Sequence, residues 1–441
     1  MIPSGRPQLL TARGVLPRAG RFDERSFQPA RVLRDAGVLV SGGRVVELVV
    51  GAAAIRRLAT ARSARVRDLG DVCLVPGLVN AHAHLELTGM EGALPGDAGF
   101  GAWVGGLLRN KAARGVEGLA MDARVGLERA LQSGTTTLGD IASTPACATA
   151  LARIGRGARP RVRLFREVLD AWDPARTLGA LVILRRPLRE STRLFEGYSP
   201  HAPYTVSLEL LLGVARLARR RPRPVSLHWS ETQAEVDWMR AGTGELAAVL
   251  GASPLRSGLD LLEAAGLFGS HTSLVHGNLP AARDPARIAA AGASIVHCPG
   301  THAFFSRGEF PLGAYERAGV NLALGTDSLA SNDTLDLRVE AVRFLEREPG
   351  LAPGRILHML TEGGARALGL EADVGRLEPG CFADALVLEG LGSAFPATAD
   401  DVAVALLRSG PPGAAGDSAP LYVLLGGHPR TYRQAHFRPT R

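Results

Sequence analysis

The chain has 441 residues, 46% of them apolar, with a mean hydropathy of +0.07, which fits a globular protein with a sizeable core; no run reaches the roughly 18 to 20 apolar residues of a membrane span. The net charge of +8 and pI near 10 come almost wholly from arginine, because Lys111 is the only lysine, and the arginines cluster only at residues 219–223, which reads as solvated surface and not as a nucleic-acid footprint. Cys73, Cys147, Cys298 and Cys381 form no C-x-x-C pair, so neither a disulfide framework nor a structural zinc site is expected.

The opening M-I-P-S-G-R-P-Q-L-L lacks the basic-then-apolar layout of a signal peptide, and a cytoplasmic location is expected. Up to residue 75 the chain runs through short alternating stretches, R-V-L-R-D-A-G-V-L-V, G-R-V-V-E-L-V-V and D-V-C-L-V-P, which predict a small antiparallel sheet. Similar stretches return after residue 372 as V-G-R-L-E-P-G-C-F-A-D-A-L-V-L and P-L-Y-V-L-L-G-G, so residues 1–75 and 372–441 are expected to complete one β-subdomain. The Gly/Ala/Pro-rich stretch near residues 409–420 reads as a flexible surface loop.

Residues 76–371 follow a different rhythm, with short apolar strands alternating with Ala- and Leu-rich helical stretches such as L-E-L-L-L-G-V-A-R-L-A-R. Eight strands are expected: L-V-P-G-L-V-N-A-H-A-H, T-T-T-L-G-D-I, R-V-R-L-F-R-E-V, L-F-E-G-Y-S-P-H, P-V-S-L-H-W-S-E, T-S-L-V-H-G-N, A-S-I-V-H-C-P and V-N-L-A-L-G-T-D-S. Eight βα units close a (β/α)8 barrel, giving an α/β fold.

Barrel active sites lie at the C-terminal ends of the strands. His82 and His84 end the first strand, and being two apart on an extended chain they share one face. His201 ends the fourth strand, His228 the fifth with Glu231 just after it, His276 the sixth, His297 the seventh and Asp327 the eighth. Several imidazoles and a carboxylate suit a borderline divalent ion such as zinc or iron. An open position on such an ion acidifies bound water, which points to hydrolysis.

The motifs P-G-L-V-N-A-H-A-H, S-P-H-A-P-Y-T-V-S, L-H-W-S-E-T, L-V-H-G-N, V-H-C-P-G-T-H and L-G-T-D-S-L-A-S-N-D-T-L-D resemble the amidohydrolase superfamily, in its cytosine deaminase and chlorohydrolase-like branch, over nearly the whole chain. The resemblance implies a distorted TIM barrel with a small β-sandwich formed from both chain ends. It implies that His82, His84, His228 and Asp327 hold one metal ion, zinc or alternatively iron, that Glu231 is the acid/base, that His276 and Asp327 act with it, and that His201 contacts substrate. Glu86 and Trp103 sit in the first loop, where such enzymes read their substrate, and His302 is a further candidate contact. Relatives with two metals bridged by a carboxylated lysine need that lysine at a barrel strand end, whereas Lys111 is placed in the first long loop, so that arrangement is excluded. Glu167 is the residue that could bridge a second metal, and at most one of Arg163 and Arg166 is expected to face the pocket.

Within that branch the motifs most resemble aminodeoxyfutalosine deaminases of menaquinone biosynthesis, which implies hydrolytic release of ammonia from an adenine-like ring. The competing readings are a deaminase of S-adenosylhomocysteine, guanine or cytosine, a hydrolytic dechlorinase, and a non-catalytic scaffold, which the complete ligand set argues against. The expected partner is a small-molecule substrate, with no nucleic acid and no membrane, and a homodimer is allowed for.

Overall fold

Two eight-stranded sheets and a two-stranded hairpin make up the strands of the described residues, which in the computed structural model are 6–23, 26–97, 99–153, 159–389, 391, 395–408 and 421–430. The N-terminal part contributes β1 (Gln8–Val15), the hairpin β2 (Gly20–Asp23) and β3 (Ser26–Pro29), then β4 (Leu33–Ser41), β5 (Arg44–Val50), β6 (Arg65–Asp68) and β7 (Cys73–Pro76). The barrel follows with β8 (Leu78–Ala83), β9 (Thr135–Ala142), β10 (Arg161–Val168), β11 (Leu194–Pro200), β12 (Val225–Trp229), β13 (Thr272–His276), β14 (Ser294–His297) and β15 (Asn321–Leu324). Near the C-terminus β16 (Ala385–Leu388), β17 (Leu421–Leu425) and β18 (His428–Arg430) return to the first sheet, whose order is β18-β17-β16-β7-β1-β4-β5 with β6 beside β1. One sheet is thus stitched from both chain ends, and the barrel is a distorted TIM barrel beside it. The Gly/Ala/Pro-rich stretch near 409–420 lies outside the described residues.

The expected first barrel strand is in fact two. L-V-P ends β7 in the outer sheet, and L-V-N-A-H-A forms β8 in the barrel, with the chain changing sheets at Gly77. A Cβ there would lie 2.1 Å from Thr136 Oγ1, so only glycine lets the chain pass this close to β9.

All eight barrel strands run parallel in the order β8 to β15. The backbone N–H groups of Thr326 and Asp327 both donate to His82 O at 3.0 Å, drawing the two edge strands together. Asn80 Nδ2 donates to Thr326 Oγ1 at 2.8 Å across the same seam. At Gly325 a Cβ would meet His82 backbone at 2.8 Å, so this approach too requires glycine. Between β11 and β12 the pairing narrows to Tyr198 opposite Val225, and above it the His228 N–H donates to His201 O at 2.9 Å. That is where the barrel departs from regularity.

Alternation along β10 sorts the barrel interior into levels. Arg163 lies low, its guanidinium donating to the carbonyls of Leu368 (3.0 Å), Glu196 (2.9 Å) and Gly369 (3.2 Å). Phe165 packs in the middle with Val79, Ile141 and Leu368, and Glu167 emerges at the top beside His201 and His228. Arg166 points the other way, to the carbonyls of Ile183, Leu184 and Arg186 and to Glu196 Oε1 at 2.8 Å. Neither arginine therefore faces the strand-end pocket. All four cysteines are buried and free, and no helix among the described residues is long and apolar enough to cross a membrane.

Candidate functional site

His82 is the penultimate residue of β8 and His84 follows just beyond the strand (φ −120°, ψ 82°), with the two rings on one side and centroids 4.9 Å apart. His84 Nε2 lies 3.3 Å from His228 Nε2, and Asp327 Oδ1 lies 3.6 Å from Nε2 of both His82 and His84. His276 Nε2 is 3.9 Å from Asp327 Oδ2 and 3.8 Å from Glu231 Oε2. Four strand ends therefore aim six side chains at one small volume above the barrel core. Ser230 (φ 52°), His276 (φ 73°) and Asp327 (φ 55°) all adopt the left-handed backbone region, which costs a residue with a Cβ about 1 kcal/mol or more. Such strain is sustained where surrounding structure over-determines the geometry, and it marks functional sites.

The donor set fits a divalent ion. His228 Nδ1 donates to His201 O at 3.0 Å, which leaves Nε2 as an acceptor facing His84 Nε2 at 3.3 Å. His82 is 1% exposed and neither ring nitrogen has a hydrogen-bond partner, an arrangement that is costly unless something else meets those lone pairs. Burial, reinforced by His201 and His82, pushes His228 down to about 3, and burial, then the neighbouring His82, pushes His84 well below its ordinary value. Both rings are neutral and free to ligate. Burial pushes the Asp327 carboxyl up, but the surrounding His82, His276 and His84 outweigh it and hold Asp327 well below the usual carboxylate range.

Glu231 has the opposite balance. Burial, then the neighbouring Asp327 charge, push it up to about 8. Its turn is fixed from behind by Glu235, whose carboxylate accepts the Ser230 N–H at 2.8 Å and the Glu231 N–H at 2.9 Å, and Asn278 Nδ2 donates to Glu231 O at 3.1 Å. Sequence reasoning passed over Glu235, although T-Q-A-E opening a helix is a capping-box spacing and signalled a glutamate turned back on the chain.

The remaining expected residues fall into two groups. His201 stands beside His228 with ring centroids 4.8 Å apart; its Nδ1 donates to Thr205 Oγ1 at 2.7 Å, so Nε2 is the acceptor, and burial pushes it down to about 4. Glu167, His201 and His228 form a second cluster of ligating atoms, and Glu167 Oε1 is buried without a partner. Glu86, by contrast, is closed in: Oε1 accepts from Lys111 Nζ (3.0 Å) and Ser143 Oγ (2.5 Å), and Oε2 from Ser143 N (3.3 Å) and Cys147 Sγ (3.1 Å). Lys111 lies on the helix Phe100–Gln132 and not in a loop, and its amine also donates to Ser143 Oγ at 2.7 Å.

Trp103 Nε1 donates to Ala330 O at 3.0 Å and its ring joins Phe100 and Phe305 in an aromatic wall. His302 Nε2 donates to Gly308 O at 2.5 Å and Nδ1 meets the Asn278 side-chain amide at 3.1 Å, so this ring ties a loop together. His297 stacks on Phe310 at 3.9 Å. The least foreseeable neighbour is Arg307, whose Nη2 lies 3.8 Å from Glu231 Oε1.

Residues 73–412 match the amidohydrolase family. A 5-methylthioadenosine/S-adenosylhomocysteine deaminase from Teredinibacter turnerae is 31% identical over 81% of this chain and 80% of its own. An aminodeoxyfutalosine deaminase from Deinococcus radiodurans is 32% identical over 67% of this chain and 73% of its own. The crystal structure of an adenosine deaminase from Xanthomonas campestris with bound zinc superposes with a TM-score of 0.72 at 26% identity, covering 96% of this chain and 92% of that one. The chain belongs to the amidohydrolase family and is a hydrolase acting on carbon–nitrogen bonds other than peptide bonds.

Proposed function

We propose that the protein is a zinc-dependent deaminase of a 6-aminopurine nucleoside, with His82, His84, His228 and Asp327 holding one ion. The observation that carries this reading is the convergence of His82, whose ring nitrogens are unpartnered, with His84, His228 and an ionised aspartate, beside a glutamate pushed up to about 8. A bound zinc would supply a Lewis acid and a water acidified toward neutrality. Glu231 holds its proton near neutral pH and gives it to the ring nitrogen beside the carbon that loses the amine. His276, held neutral mainly by burial, and Asp327 line the other side of that carbon. Overall the ring carbon exchanges –NH2 for oxygen, one water is consumed and one ammonia leaves. A single ion is favoured over two because the H-x-x-E spacing of His228 and Glu231 goes with one metal in the family the motifs resemble.

Within this class we propose 6-aminodeoxyfutalosine as substrate, from the motif resemblance and the D. radiodurans relative. S-adenosylhomocysteine or 5-methylthioadenosine is the second reading, favoured by the name of the T. turnerae relative. His201 Nε2, a free acceptor at the rim, suits a ribose hydroxyl in either case.

Metal analysis combined with ammonia release from these nucleosides and from adenosine tests the reading. With metal present, absence of ammonia from every aminopurine overturns it. Glu231→Gln should keep its metal and lose turnover by about 10² to 10⁴-fold; unchanged turnover removes Glu231 from the chemistry.

A further inference from the structure

Arg307 stands at the mouth of the site in a turn held on both sides: its N–H donates to His302 O at 3.0 Å, and His302 Nε2 donates to Gly308 O at 2.5 Å. Its guanidinium lies over Phe305 (4.9 Å to the ring centre) and Phe100 (5.9 Å). Nε and Nη2 are both shut off from solvent and neither has a hydrogen-bond partner. These two nitrogens form the edge of an arginine whose N–H bonds run parallel, the edge that grips planar acceptors. A buried donor edge with no acceptor is costly in a folded protein and needs an explanation. Nη2 is 3.8 Å from Glu231 Oε1, too far for a hydrogen bond, yet close enough that a ring engaged by Glu231 also lies against Arg307.

We propose that Arg307 is a substrate-recognition residue whose Nε/Nη2 edge donates to ring nitrogen N7 of the aminopurine; this rests on the deaminase reading above. With Glu231 serving N1, N7 is the other ring acceptor on the edge that carries the amine, and one N–H of the fork donates to it. Arginine, a donor only, donates to N7 and finds no acceptor in an amino group. A carboxylate on the far end of a nucleoside is a poorer fit, because it would have to sit beside the Glu231 carboxyl and away from the ribose.

Calorimetric titration of the zinc-loaded protein with purine riboside and 7-deazapurine riboside, neither of which has an amine to lose, tests this. The wild type should prefer purine riboside by about 10- to 100-fold, the value of one charge-assisted hydrogen bond. Arg307→Met, which keeps the stem over Phe305, should abolish the preference, and Arg307→Lys, which keeps charge but not the fork, should retain part of it. If the Met variant fails to fold, the Lys variant decides. Equal binding of both ligands by the wild type, or a preference that survives Arg307→Met, overturns the proposal and leaves the deaminase reading standing. Failure of both ligands to bind, with no ammonia from any aminopurine, overturns the deaminase reading instead.

Discussion

Around Glu86 both carboxylate oxygens find donors in Lys111, Ser143 and Cys147, whereas on the same barrel rim His82 leaves both ring nitrogens unpartnered and His84 and His228 turn their Nε2 atoms toward one another. Both regions are buried and polar, so burial alone does not separate them. The difference lies in accounting: one cluster is satisfied by the chain itself, and the other is complete only with something bound. A satisfied network contributes rigidity. An unsatisfied one of converging donors, held on left-handed strand ends, lowers stability for the sake of a site.

The sharpest way to break this contrast is His84→Gln. It should empty the site of metal and abolish turnover, read by metal analysis and ammonia release, while urea unfolding of the metal-free protein stays within about 1 kcal/mol of wild type. A large loss of stability in the metal-free state would show that the histidine cluster is structural after all. Lys111→Met should do the reverse. It strands the Glu86 carboxylate and should lower stability by about 3 kcal/mol, with metal content unchanged. Adding Glu86→Gln should restore part of that loss, a coupling visible in a double-mutant cycle.

A pH series sharpens the comparison through Glu340, which supports the Asp327 loop from behind: it accepts from Gly300 N at 2.6 Å and from Asn332 Nδ2 at 2.8 Å, and Asn332 Nδ2 also reaches Thr326 O. Burial pushes Glu340 up to about 7. The folded state therefore keeps this proton to higher pH than the unfolded chain does. Its contribution is full below the ordinary glutamate range and is lost as pH rises through about 7. Between pH 5 and pH 8 this loss should be on the order of 2 kcal/mol, and smaller in Glu340→Gln, measured from urea midpoints. An identical pH slope in both proteins would remove Glu340 from the linkage. The smallest change is expected for Cys147→Ala, which removes one of several donors to Glu86 and should cost within about 1 kcal/mol by thermal unfolding.

The strand rhythm, the H-A-H pair, H-W-S-E and the terminal Asp327 were all legible in the linear order. Side-chain direction along a strand repeats every two residues, so local spacing alone says which residues share a face, and the same rule set Arg163, Phe165 and Glu167 in line. Whether L-V-P-G-L-V was one strand or two depended on how closely Thr136 approaches Gly77, which no spacing records. The role of Glu86 was equally invisible: Lys111 lies 25 positions away and reads as a loop residue until the helix carrying it packs over the barrel mouth. Arg307 was one arginine among many. Sequence by itself determined the fold class and placed the histidines and carboxylates at strand ends, because these follow from short-range periodicity, while their division into metal ligands and acid/base came from the family resemblance. Only the tertiary structure decided which polar groups are satisfied and which are left open, because partners distant in the chain meet only once the helices and loops have packed.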